Sequence, residues 1–139
     1  MRQASHSLVV ATRGRGFSEI TGEIQRFVAD SGIAEGLLTV FCRHTSASLV
    51  IQENADADVR ADLEAFFARL APDGDPRYRH DTEGPDDMPA HIRAALTQTG
   101  VAIPVVGGRA ALGIWQGVYL WEHRTRSHHR EVLLHVIGE

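Results

Sequence analysis

The chain of 139 residues carries eight histidines, and three stand where packing alone gives little reason for an imidazole. His44 ends the apolar run GLLTVFCRH, just before Thr45 and Ser46. His80 lies in a polar stretch, followed by Asp81 and Glu83. His91 lies in the first turns of a predicted helix, at the edge of its apolar stripe. Neutral imidazole is the commonest protein ligand for divalent transition metals. Three protein ligands with an open fourth position is the usual catalytic zinc arrangement. The positions 44, 80 and 91 match no local metal motif such as H-E-x-x-H. A shared ion therefore requires the fold to bring the three together; the alternative is three separate histidines, each hydrogen-bonded where it stands.

Acids crowd the same segments. HDTEGPDDMPAH places Asp81, Glu83, Asp86 and Asp87 between His80 and His91. Such carboxylates can orient imidazoles, bind magnesium with a phosphate substrate, or act as general acid or base; Asp86 and Asp87 can equally serve as plain helix caps. A second constellation, GGRAALGIWQG (107–117), brackets Arg109 with glycines. Glycine lets backbone amides approach an anion, and Arg109 can fork onto phosphate or carboxylate; a tight hairpin explains the same glycines. The basic tail HRTRSHHRE (123–131) reads as a solvated hairpin tip or as a contact for an anionic substrate. Ser46 and Ser48 lack the G-x-S-x-G setting of an activated serine. Cys42, mid-strand among apolar residues, reads as buried and inert.

The elements that must position these residues follow from periodicity. SLVVAT (7–12) is a strand. Thr21 is placed to cap a helix over 22–30, with Gly32 as its stop. Alternation over 36–44 predicts a central strand with both faces largely buried, and 48–52 continues as a hairpin partner or a bulged extension. Val59, Leu63, Phe66, Phe67 and Leu70 give a helix over 56–70 one apolar stripe. Residues 72–87 form a long polar loop. Asp86 and Asp87 are placed to cap a third helix that Gly100 ends, with Pro89 in its first turn. Strands follow at 101–106, 118–121 and 131–137. Strands in runs with inserted helices predict one α+β domain over 1–139, a mostly antiparallel sheet or sandwich with about three helices.

Composition narrows the function classes. Fourteen basic against eighteen acidic residues give a net charge of −4, which argues against sequence-independent nucleic-acid binding. No stretch approaches the ~20 apolar residues that span a bilayer, and residues 1–16 lack a signal-peptide pattern. With a single cysteine and no intrachain disulfide available, the expectation is a cytoplasmic protein with neither nucleic acid nor membrane as partner.

HTSA (44–47), Glu53-Asn54-Ala55-Asp56, Val59 to Leu63, His80, Glu83-Gly84, Asp86 to His91, Gly107-Gly108-Arg109, Leu112-Gly113, Trp115-Gln116-Gly117 and Glu122 together resemble the YjbQ-like family, also labelled secondary thiamine-phosphate synthase. The likeness runs from about Phe17 to Gly138. It implies an α+β homotrimer with a histidine-lined pocket, in which His44, His80 and His91 hold a divalent metal, zinc-like by ligand type, with magnesium as the option beside a phosphate substrate. Glu83, Asp87 and Arg109 would be the catalytic groups, Asp86 would lie nearby, and Gln116 and Glu122 would support them. The implied chemistry joins a pyrimidine diphosphate to a thiazole phosphate and releases pyrophosphate. The chain departs from the family pattern at Arg93, where Lys is commoner, at Ile114, where Thr is usual, and in the tail 123–130. Two expectations result: a metal-dependent enzyme acting on a phosphorylated small molecule, or a non-catalytic homotrimer that binds a metabolite or anion.

Overall fold

The computed structural model describes Met1–Glu139. Its elements run β1 (Arg2–Ala11), β2 (Gly16–Glu19), α1 (Thr21–Ser31), β3 (Gly36–Cys42), β4 (Ala47–Glu53), α2 (Ala57–Leu70), α3 (Asp87–Leu96), β5 (Gly100–Val106), β6 (Arg109–Ala110), β7 (Gln116–Glu122) and β8 (His129–Gly138). One sheet has the order β1-β8-β3-β5-β6 and the other β2-β7-β4. The strand pairs of both are antiparallel, so the α+β expectation with three helices holds. No helix is long and apolar enough to cross a membrane.

The alternation in each strand explains how the sheets close on one core. Leu38, Val40 and Cys42 of β3, Val132, Leu134 and Val136 of β8, and Ile103 and Val105 of β5 point inward. They meet Leu49 of β4 and Val118 and Leu120 of β7, with Ile24 and Val28 of α1 in the same cluster. Trp121 fastens the periphery: its ring stacks on Phe17 of β2 at 4.4 Å between centroids and meets Phe67 of α2 edge-on at 4.9 Å.

Several sequence expectations needed correction. β3 is central, but its second face is not buried: Leu37 and Phe41 are each 45% exposed, because nothing in the chain covers that side of the sheet. The 48–52 segment does not pair with β3; it crosses to the second sheet as β4. Thr21 is inside α1 and does not cap it. Its hydroxyl instead accepts from the Val118 amide at 2.9 Å and donates to Glu19. Asp56 does cap α2, accepting from the Asp58 amide at 2.9 Å, yet no residue of α2 is fully buried. Asp87 is the first helical residue of α3, not a cap, and α3 ends at Leu96, ahead of Gly100.

Gly36 and Gly138 face each other across β3 and β8. A Cβ on either would overlap main-chain carbonyls, Ile137 for the first and Glu35 for the second. The two strands approach this closely only because both side chains are missing. Gly36→Ala is expected to destabilise the fold by ~1–3 kcal/mol, the usual range for overpacking, read as a lowered midpoint in urea unfolding; an unchanged midpoint would disprove the close-approach account.

Candidate metal centre

Two loops and a helix start meet beyond the ends of the strands. The 71–86 connection brings His80 back over the first turn of α3. There Asp87 and His91 stand one helical turn apart on one face, the spacing that makes i and i+4 neighbours. One oxygen or nitrogen from each of His80, Asp87 and His91 falls within 4.8 Å of the others. His80 Nε2 lies 2.7 Å from Asp87 Oδ2 and 3.2 Å from Glu83 Oε2. His91 Nε2 lies 3.3 Å from the same Asp87 Oδ2.

The proton positions matter. His91 Nδ1 is 3.0 Å from the carbonyl oxygen of Thr45. A carbonyl only accepts, so Nδ1 carries the hydrogen and, in the neutral ring, Nε2 presents a lone pair. Nε2 faces Asp87 Oδ2 in one of two ways: as a lone pair with a cation between the two atoms, or as a second N–H that donates to the carboxylate. A main-chain carbonyl fixing the outer nitrogen is also how metal-ligating histidines are ordinarily oriented.

Asp87 is buried, with Asp86 beside it. Burial pushes both carboxyls up, but their partners outweigh it and both lie below the ordinary carboxylate range. For Asp87 the partners are the His80 hydrogen bond and the Arg124 charge. Arg124, in the turn after β7, uses its whole guanidinium here. Nε donates to Asp86 Oδ2 at 3.0 Å, Nη1 to Asp87 Oδ1 at 2.8 Å, and Nη2 to the Glu83 carbonyl at 2.8 Å. The Thr125 amide adds a bond to Asp86 Oδ2 at 2.9 Å. Asp87 therefore keeps one oxygen, Oδ2, for the imidazoles.

His44 sits outside this cluster. Its Nε2 accepts from the Glu131 amide at 2.7 Å, so its free nitrogen is Nδ1, a donor in the neutral ring. Burial first, then the nearby Arg130 charge, lower its pKa and favour that neutral form. His44 and His91 share a hollow of about 330 Å³ with Thr45, Ala94, Ala95 and Thr99. Arg109 is farther still. β5 starts next to Thr99 and ends opposite Arg109, a run of roughly 20 Å at strand spacing. Within one chain, then, His80 and His91 come together with Asp87, His44 stands apart across the hollow, and the arginine beside the acids is Arg124, not Arg109. The only sign of Arg124 in the sequence is its place in the basic tail.

Gln116 lies at the opposite end of β7 from the site, where its side chain holds the Gly113 amide at 2.8 Å. Glu122 is fully buried at the near end. It accepts from Thr12 Oγ1 at 2.7 Å and from Arg130 through both carboxylate oxygens, and it supports the floor under His44.

The family model described as "UPF0047 protein YjbQ-like" matches residues 6–139. The chain belongs to the YjbQ-like UPF0047 family. A UPF0047 protein of Synechocystis sp. is 60% identical over 138 residues, covering 99% of this chain and 94% of the relative. The YjbQ protein of Escherichia coli O157:H7 is 42% identical and covers 96% of each. A hypothetical protein of Aeropyrum pernix K1 superposes with a TM-score of 0.89 at 30% identity, covering 98% of this chain and 99% of that one. A YbjQ-like protein of Sulfolobus solfataricus P2 shares the fold, with a TM-score of 0.86 at 20% identity over 99% of each chain. The YjbQ-like resemblance read from the motifs is therefore confirmed.

Asp86 yields an acid-stability test. Its folded pKa lies below the ordinary value of 3.8, so its contribution is present above that value and is lost as pH falls through and below it. Asp86→Asn should lower stability at pH 7 and shrink the wild-type loss between pH 4 and pH 2, measured by urea unfolding across that range; parallel curves for the two proteins would contradict the pairing with Arg124.

Proposed function

We propose that this YjbQ-like chain is a metal-dependent enzyme acting on a phosphorylated small molecule, with His80, Asp87 and His91 as the metal ligands. The observation that carries the reading is the convergence of one ligand atom each from His80, Asp87 and His91, with the outer nitrogen of His91 tied to the Thr45 carbonyl. Glu83, Asp86 and Asp87 put three carboxylates here beside the single guanidinium of Arg124, and a cluster so rich in acids suits a cation. An anion bound directly by the histidines would meet those acids. That weighs against the alternative of a metal-free anion-binding protein.

The donor set selects the metal class. Two imidazole nitrogens and one carboxylate oxygen suit a zinc-like ion. Arg124 occupies Asp87 Oδ1, so Asp87 can offer one oxygen only, and the oxygen-rich shells of calcium and magnesium are poorly served. A bound ion of this kind supplies Lewis-acid polarisation of a phosphate oxygen or a bound water. The chain's own groups do the rest. Glu83, exposed and within reach of His80, is the candidate proton acceptor. Neutral His44 is placed to donate from Nδ1 into the hollow it shares with His91, which would orient a phosphate oxygen. The synthase reaction implied by the resemblance needs this kind of positioning and charge stabilisation. Arg109 has no part in this site within one chain.

We also infer a homotrimer, as the resemblance implies. Its support is the uncovered outer face of the larger sheet, where Val9, Leu37, Phe41 and Val106 are 45–60% exposed, an apolar patch of the kind that marks an interface.

Two outcomes are expected. Untagged protein dialysed against chelator should take up one zinc ion per chain by calorimetry, with at least ~100-fold weaker binding in His91→Ala and Asp87→Asn at unchanged circular dichroism, and pyrophosphate or phosphate release from phosphorylated substrates should follow zinc loading. Equal affinity in wild type and both variants would remove the ligand assignment. In sedimentation velocity the wild type should run as a trimer and Leu37→Glu/Phe41→Glu as a folded monomer; a monomeric wild type overturns the assembly.

A further inference from the structure

Behind the metal centre, four elements close a ring of polar contacts with three buried atoms left over. Glu64 of α2 accepts from Arg93 Nη1 through Oε1 and from Trp121 Nε1 through Oε2 at 2.8 Å. Thr97, at the end of α3, has its hydroxyl 2.8 Å from the Arg93 carbonyl and 2.6 Å from Ser48 Oγ of β4. Ser48 Oγ lies 2.8 Å from Nε2 of His123, the residue just after β7. The His123 ring packs 5.0 Å from Trp121. Arg93 and His123 are both completely buried, yet Arg93 Nε, Arg93 Nη2 and His123 Nδ1 have no protein partner. Buried polar groups are nearly always satisfied, so three such atoms in one knot point to something that binds them.

Counting protons identifies it. Thr97 has one hydroxyl hydrogen, and a carbonyl four residues back along a helix is its usual acceptor. The Ser48 hydroxyl then donates to Thr97 Oγ1, and Ser48 Oγ accepts from His123 Nε2–H. In a neutral ring with Nε2 protonated, Nδ1 is an acceptor. The ring is neutral because burial, and next to it the Arg93 charge, push its pKa down to about 3. The leftover atoms are therefore two donors on Arg93 and one acceptor on His123. A halide or other anion would satisfy the donors but face the lone pair, and Glu64 already balances the Arg93 charge. A neutral molecule that both accepts and donates fits all three, and water is the one small enough for a closed interior.

We propose that Arg93 and His123 hold one buried water, which accepts from the free edge of the guanidinium and donates to His123 Nδ1, joining α3 to the end of β7. The joint has a consequence for the site in front of it. α3 carries Asp87 and His91, while the residue after His123 is Arg124. The water thus links the helix that presents the ligands to the strand end that presents their counter-charge, and it fixes one tautomer of His123.

Diffraction and NMR on the wild-type protein test this without any variant. The expected result is one density peak within hydrogen-bond distance of the Arg93 free edge and His123 Nδ1, silent in anomalous maps after a bromide soak. In histidine-labelled protein, the Nδ1 resonance of His123 should be that of an unprotonated nitrogen at neutral pH. Bromide at the position, a protonated Nδ1, or clear maps with no peak would each overturn the proposal. A folded His123→Phe should show one long-lived internal water fewer by oxygen-17 relaxation dispersion, and an unchanged count is a refutation. If that variant does not fold, the two wild-type measurements decide.

Discussion

The site depends on one guanidinium. Asp86 and Asp87 are consecutive, both are buried, and both are held in the charged form. Two adjacent carboxylates out of water repel one another and lose hydration, and an arrangement of that kind persists only with a matched counter-charge. Arg124 supplies it, with one nitrogen to each carboxylate and the third to the Glu83 carbonyl. The planar fork is what makes three simultaneous contacts possible; a lysine ammonium is a point charge and would not span them. The same contact decides which oxygen of Asp87 is free, and so sets the donor set that His80 and His91 complete.

How much of this was legible in the sequence depends on whether side chains or main chain carry the contact. The three histidines stood out by type and setting, and the acids between His80 and His91 marked the segment that holds the site. What sequence spacing does not reveal is that Thr45 contributes a carbonyl to His91 and Glu131 an amide to His44. Those two main-chain groups fix which ring nitrogen each histidine leaves free, Nε2 on His91 and Nδ1 on His44. The basic tail reads as a hairpin tip, and Thr125, Arg126, Ser127 and His129 are exposed, but His123 and Arg130 are buried and Arg124 turns inward because two buried carboxylates lie within its reach. Arg109 drew attention through its glycines. Those glycines serve the turn itself, since Gly107 and Gly108 both have positive φ, at 59° and 77°, the pairing a tight hairpin requires.

The fold was legible wherever one face of an element is buried and the other is not. β5 and β8 alternate cleanly and were found. β3 shows the limit: apolar residues on both its faces predicted burial on both, and in the single chain only one face has a cover. The helix α1 is held by its apolar stripe and needs no side-chain cap, which left the Thr21 hydroxyl free to bind across to β7.

Beneath the His80–Asp87–His91 cluster the protein accepts a second buried charge pair, and its satisfaction explains why the cluster can be rigid. Burial works against the charged form of Glu122, but the bonds from Arg130 and Thr12 outweigh it, and the carboxyl lies below its ordinary range. Arg130 reaches on to Ser46 at 3.0 Å, and the Arg124 amide also bonds to Glu122. This network joins the end of β1, the β3–β4 turn, the end of β7 and the start of β8, which are the segments that carry Thr45, His44 and Arg124. A catalytic or binding constellation must be held to within a fraction of an ångström, and loops alone rarely achieve that. Here the loops are tied to a saturated ion pair at the sheet ends. Any loss of one partner would leave a charge buried without compensation, so the strand ends, and the groups they present, have one arrangement open to them.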